Sequence, residues 1–203
     1  MHRDHLLLGV FMFLANTAKR HSLGKIKEGG EISPDNWICK IGALDLYCYQ
    51  YEEYDKGEQK NGMWLELVQH GKGKKAQRAM FLTLREQREN LYAVEMVRVD
   101  SKYQGFGLAN RVYKKLMDKL GISMITDEYQ TPGGQHIWCK LFETKGVQVH
   151  AVKGNGKRTP RVLHEVKRDD VSSRLQVEGA DAWSETTSNR WSFIACSTKG
   201  IKA

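Results

Sequence analysis

The strongest constraint in this chain is a run of four strand-like stretches between residues 43 and 99, joined by short polar turns. In residues 43–52, Leu44, Leu46 and Cys48 alternate with Asp45, Tyr47 and Tyr49. Residues 63–70 follow the turn Lys60-Asn61-Gly62, and residues 79–85 follow Gly71-Lys72-Gly73-Lys74-Lys75. Residues 91–99 come after Arg88-Glu89-Asn90. Strands at this spacing predict an antiparallel meander. The fourth stretch is mainly apolar on both faces (Tyr92, Val94 and Met96; Ala93, Val97 and Val99), which marks a central strand. Glu95 stands out within it.

After Val99 the period changes. Leu108, Val112, Leu116 and Leu120 recur at spacing four, with Ala109, Tyr113 and Met117 beside them and Arg111, Lys114, Lys115 and Lys119 off the stripe. This predicts an amphipathic helix over 107–120, stopped at Gly121. A short buried strand over 122–126 follows. A second helix opens at Pro132-Gly133-Gly134 and runs to Phe142, before a strand over 147–153. The order strand, helix, strand, helix, strand predicts an α+β (or α/β) chain. Residues 154–175 are basic and aperiodic, and Trp191–Ser197 alternates again as a last strand. The expected organisation is one domain over 1–153 and a basic extension, 154–203, ending in a strand of the same domain.

The apolar run from Leu6 to Ala15 has ten residues, far fewer than the ~20 that span a bilayer. Its leader, Met-His-Arg-Asp-His, is nearly charge-balanced, so a buried first helix ending at Lys19-Arg20 is expected in place of a signal peptide. Cys39, Cys48, Cys139 and Cys196 form no CxxC, and the seven histidines show no metal spacing. Reduced thiols, no metal site, no membrane segment and a cytoplasmic location are the expectations.

The net charge is +8. It is lopsided: residues 1–100 carry 15 basic and 14 acidic side chains, residues 101–203 carry 17 and 10. A basic half suits a polyanionic partner, such as a phosphorylated cofactor, nucleic acid or an acidic surface.

The segment with most chemistry is Asp100-Ser101-Lys102-Tyr103-Gln104-Gly105-Phe106-Gly107-Leu108-Ala109-Asn110-Arg111, where a central strand feeds a glycine turn that opens a basic helix. First-turn amides have no intrahelical acceptor, and the helix dipole adds partial positive charge there. Glycines let a phosphate approach such a backbone closely. The dinucleotide fingerprint is excluded because Asn110 stands where its third glycine belongs, and Gly156-Lys157 lacks the remainder of a P-loop.

Gln104-Gly105-Phe106-Gly107-Leu108-Ala109 resembles the Q/R-x-x-G-x-G/A signature of the GCN5-related N-acetyltransferases (GNAT). The likeness covers roughly residues 62–153, with the surrounding order of strands and helices. The segment from Ile125 to Gly134, followed by Ile137-Trp138, is similar to short phage-encoded members, which would place the chain in a host cytoplasm. The resemblance implies a mixed, mostly antiparallel central sheet flanked by helices. It also implies acetyl-CoA as co-substrate, its pyrophosphate on the amides of Gln104, Gly105, Phe106, Gly107, Leu108 and Ala109. The pantetheine would lie along the backbone of Val97, Arg98 and Val99, and the acetyl group would pass to an amine of an acceptor that the residues do not name. The oligomeric state is open.

Glu95 sits where the family often carries a glutamate base. Two roles fit it, a base whose pKa the apolar strand raises, or a carboxylate bonded to backbone where the strand splays. The family's usual acid is a tyrosine in the second helix, but Trp138 stands there in this chain. Tyr129, Tyr103, His136 and Cys139 are the substitutes by proximity in sequence. A reading from another class remains, a nucleic-acid or host-protein binding module on that scaffold. It would use Lys157, Arg158, Arg161, Lys167, Arg168 and Arg174 of the 154–175 stretch.

Overall fold

Period-two alternation builds the frame of the molecule. Leu44, Leu46 and Cys48 occupy one face of β2 (Leu44–Asp55), Met63, Leu65 and Leu67 that of β3 (Glu58–Gly71), and Met80, Leu82 and Leu84 that of β4 (Lys74–Arg88). Antiparallel register sets them in rows, with Cys48 opposite Leu65, Leu65 opposite Leu82, Leu46 opposite Leu67, and Leu67 opposite Met80. Each of these nine side chains is buried, because successive residues of a strand face opposite sides and one side is the core.

The structure, a computed structural model, describes residues 34–55, 58–71, 74–126, 130–153, 163–165, 176–177, 180–181 and 191–199. The expected first helix at Leu6–Arg20 lies outside these residues, as does most of the basic 154–175 stretch. The remaining strands of the main sheet are β1 (Trp37–Ile41), β5 (Leu91–Val99), β6 (Ser123–Ile125), β7 (Val147–Lys153), β8 (Leu163–Glu165) and β11 (Trp191–Ser197). Their order is β1-β2-β3-β4-β5-β6-β11-β7-β8. Neighbours run antiparallel except β5 and β6, which are parallel. A separate hairpin pairs β9 (Gln176–Val177) with β10 (Ala180–Asp181). The last strand, β11, inserts between β6 and β7 and pairs with β7 along its whole length, from Trp191 opposite Lys153 to Ser197 opposite Val147.

This corrects the expectation of an α+β, GNAT-like chain with helices flanking the sheet. Strand dominates, in one nine-stranded mixed sheet, and the described residues hold only two α-helices, α1 (Leu108–Leu120) and α2 (Pro132–Glu143). The physical reason lies in the hairpins. β2, β3 and β4 have 12, 14 and 15 residues, because polar stretches that read as turns, such as Lys60-Asn61-Gly62, continue the ladder. Backbone pairing does not require an apolar side chain. β1 also had no counterpart in the sequence reading.

Both helices contribute to the principal core. On α1 the stripe Leu108, Val112, Leu116 and Leu120 is buried together with Ala109, Tyr113 and Met117. Gly121 ends the helix in the left-handed region, φ 68°, and its N–H donates to the Met117 carbonyl. α2 starts at Pro132 with Thr131 as N-cap, its hydroxyl oxygen accepting from the Gly134 N–H at 3.2 Å. It buries Trp138, Leu141 and Phe142, with Phe142 edge-on to Phe193 of β11 at 5.6 Å.

Leu65, 1% exposed at the centre of the cross-strand rows, tests the frame. Leu65→Ala is expected to lower the unfolding free energy by about 2–5 kcal/mol in urea denaturation, the range for a large-to-small change in a closed core.

Candidate functional site

The sheet opens at β5. Its parallel contact with β6 covers only Leu91, Tyr92 and Ala93, opposite Ser123, Met124 and Ile125. Beyond that, β6 ends and Val94–Val99 keeps β4 as its neighbour on one side, with no strand on the other among the described residues. A bulge coincides with the parting. Thr83 lies opposite Met96 and Leu84 opposite Val94, so Glu95 is the extra residue with no counterpart on β4. A bulge of this kind bends its strand and increases its twist, which turns β5 away from β6. Backbone groups alternate along the strand, so Val97 and Val99 turn theirs to this open edge while Arg98 turns its own to β4, and the Val99 carbonyl is taken by a side chain of the turn that follows.

The open strand ends in a fastened turn. The Asp100 N–H donates to the Ala79 carbonyl at 3.0 Å, and its carboxylate accepts from the Lys102 N–H at 3.2 Å to start a 3₁₀ turn over Ser101–Tyr103. Lys102 Nζ donates to Gln77 Oε1 at 2.6 Å and the Tyr103 hydroxyl to Gln69. Gly105 (φ 80°) and Gly107 (φ 64°) then take left-handed conformations, which L side chains rarely adopt. A Cβ on either would meet nothing within 4 Å, so both glycines face open space in front of α1. The first intrahelical bond runs from the Arg111 N–H to the Gly107 carbonyl, leaving the Leu108, Ala109 and Asn110 amides without an acceptor inside the helix.

Two side chains of the turn serve it internally. Gln104 Nε2 donates to the Val99 carbonyl at 2.9 Å, and the Arg111 guanidinium to the Phe106 carbonyl at 2.7 Å. Gln104 thus ties the turn to the end of β5. Phe106, 67% exposed between the glycines, and Met96, 43% exposed on the open strand, are the two large apolar side chains presented here. Asn110 Nδ2 donates to the Ile137 carbonyl at 2.9 Å, holding the start of α1 against α2.

Glu95 is exposed and held by side chains from other strands. Its Oε1 lies 3.3 Å from Arg85 Nε, and its Oε2 accepts from the Tyr51 hydroxyl at 3.4 Å. Tyr51 is pushed up to about 12 by burial first, then by the Glu95 charge and hydrogen bond, and so remains a neutral donor at ordinary pH. Neither Tyr51 nor Arg85 was a sequence candidate. Their one signal is the register that sets Tyr51, Gly62 and Arg85 in a single row, and register is not written in the residues.

The remaining candidates do not join Glu95. His136 is exposed in the first half of α2, Tyr103 reaches Gln69, and Tyr129 lies outside the described residues. Trp138, 2% exposed, is a core residue. Burial foremost, and then the Glu143 charge, raises the Cys139 thiol, the opposite of activation as a nucleophile. Among the described residues no group of three or more His, Cys, Asp or Glu could hold a metal ion, and no helix is long and apolar enough to cross a membrane.

No protein-family model, curated protein or solved structure matches this chain. The likeness to the acetyltransferase signature therefore rests on residues 104–109 and on their place between β5 and α1.

The Tyr51–Glu95 contact has a direct readout. Because the carboxylate charge and hydrogen bond raise Tyr51, Glu95→Gln is expected to lower its ionisation toward the ordinary value of 10.0. Cζ-labelled tyrosine NMR checks this: one tyrosine resonance should begin to titrate at lower pH in the variant than in the wild type.

Proposed function

We propose that this chain is an acetyl-CoA-dependent N-acyltransferase. The observation that carries the reading is the continuity of an unpaired strand edge, Val94–Val99, with a left-handed glycine turn at the N-terminus of α1. An amide-bearing pantetheine arm suits a strand edge with free backbone groups, since it can complete the missing ladder. A pyrophosphate suits the amides of Leu108, Ala109 and Asn110 behind Gly105 and Gly107, where no side chain obstructs its approach. Arg98 on β5 and Arg111 in the first turn of α1 add positive charge along this track.

The arm laid along β5 would bring the thioester toward the bulge, where Glu95 lies. In the transfer, an amine nitrogen attacks the thioester carbonyl carbon, the C–S bond breaks, and CoA leaves as its thiolate. The proton lost by the nitrogen passes to the Glu95 carboxylate, directly or through one water. The acceptor is an amine of a protein, small molecule or nucleic acid, and its identity would be set by groups around Glu95.

Acetyl-CoA at saturating concentration is expected to raise the melting temperature by mass action. Gly107→Val should fold and lose that rise, because its side chain would stand in the phosphate approach and strain a left-handed backbone by about 1–2 kcal/mol. An unchanged melting temperature for the folded wild type removes the cofactor assignment. Salt-sensitive retention on DNA in that same case favours the binding-module reading.

Glu95→Gln is expected to keep the acetyl-CoA-induced rise and to slow acetyl transfer to peptide-lysine or polyamine acceptors by ~10²-fold, the usual worth of a positioned base. The deficit should narrow at high pH, where more of the acceptor is already deprotonated. A thiol-release assay with undiminished turnover takes Glu95 out of the chemistry.

A further inference from the structure

Gly62 is the unusual residue of β3. It lies within the strand, opposite Tyr51 of β2 on one side and Arg85 of β4 on the other. A Cβ built there would collide with the Cζ of the Tyr51 ring, and would stand 2.5 Å from both the Tyr51 hydroxyl and the Leu84 carbonyl oxygen. Glycine in a strand interior otherwise weakens it, and a close approach by another group is the usual reason for one. Here the group that approaches is a tyrosine ring laid across the strand.

The reach has a consequence. Tyr51 and Glu95 stand on strands separated by β3 and β4. With neighbouring strands about 4.8 Å apart, their backbones are on the order of 14 Å distant. They meet only because the ring crosses the bare backbone at Gly62 while Glu95, displaced by the bulge, extends toward it. Arg85, next to Gly62 in the same row, takes the other carboxylate oxygen.

We propose that Tyr51 is a positioning residue, which with Arg85 fixes the Glu95 carboxylate beside the open edge of β5, and that Gly62 is the cradle that makes this reach sterically available. This rests on the acyltransferase reading of that edge and names the residues that aim its base. The groups set against the carboxylate are Tyr51 on β2 and Arg85 on β4, Glu53 adds its charge to Tyr51, and β3 places Gly62 at this row. A tyrosine raised this far is a poor proton source for a departing thiolate, so its part is to orient. The side chains of the Arg85 pair are about a third exposed, so solvent screens the pair, it contributes little to stability, and loss of its geometry can be read apart from loss of fold.

The test uses the full chain, acetyl-CoA as probe and thiol release as the assay. Tyr51→Phe keeps the ring over Gly62 and removes only the hydroxyl. Expected are an unchanged acetyl-CoA-induced rise in melting temperature, KM within about twofold and kcat lower by roughly tenfold to a hundredfold, the scale of a misplaced catalytic group. The decisive arm is the double variant. Tyr51→Phe in a Glu95→Gln background should cost nothing further, because the hydroxyl acts only through that carboxylate. A full multiplicative loss in the double variant overturns the proposal, as does an unchanged kcat in Tyr51→Phe that still binds acetyl-CoA. A folded wild type whose melting temperature ignores acetyl-CoA overturns the acyltransferase reading and this proposal with it. Thiol release that Glu95→Gln slows and Tyr51→Phe leaves untouched, by contrast, overturns the positioning role alone.

Discussion

The parting of β5 from β6 is the constraint on which the rest of the architecture depends. A parallel pair that stops after three residues leaves the end of a central strand with ladder partners on one edge only. Such an edge is costly inside a protein and is ordinarily covered or filled. The structure instead stabilises the opening from behind. β4 pairs with β5 on both sides of the bulge, Asp100 is bonded back to Ala79, and Gln104 caps the Val99 carbonyl at the far end. β6, freed from β5, is held by β11, where Ile125 faces Ile194 and the Thr126 hydroxyl oxygen accepts from the Phe193 N–H at 3.0 Å.

The two faces of the sheet divide the labour. One carries the rows of Leu, Met and Cys on β2, β3 and β4, closed by α1 and α2 into the principal core. On the other, Tyr47, Tyr49 and Val68 form a smaller cluster against Trp64, with Phe81 5.9 Å from the Trp64 ring. At its end the apolar surface gives way to the polar row of Tyr51, Gly62 and Arg85. The same pleat that buries Leu84 lifts Arg85 toward Glu95, so the core and the candidate site are consequences of one register.

Much of the frame was legible in the residues. Alternation at Leu44, Leu46 and Cys48, the two-sided apolarity of Leu91–Val99, the spacing of Leu108, Val112, Leu116 and Leu120, the stop at Gly121 and the start at Pro132 all depend on local pattern. Local pattern survives without knowledge of what packs where. The glycine turn was legible for the same reason, since φ above zero at Gly105 and Gly107 is a property of those residues and their immediate neighbours. What misled was the equation of polar with turn. Lys60-Asn61-Gly62 has the composition of a hairpin turn, yet it pairs with Tyr51, Glu52 and Glu53 in mid-ladder, and the α+β expectation failed along with it.

The sequence by itself determined that strands form around residues 44–48, 63–70, 79–85, 91–99, 147–153 and 191–197, that helices form after Gly107 and at Pro132, and where a backbone can turn left-handed. These follow from side-chain periodicity and from the missing Cβ of glycine, both short-range. Tertiary structure alone decided that β11 enters between β6 and β7, that β5 loses one neighbour at its bulge, and that Tyr51 crosses Gly62 to reach Glu95. Each of those depends on the register between strands distant in the chain. Register is set by the summed packing of a whole face, and no single residue carries it.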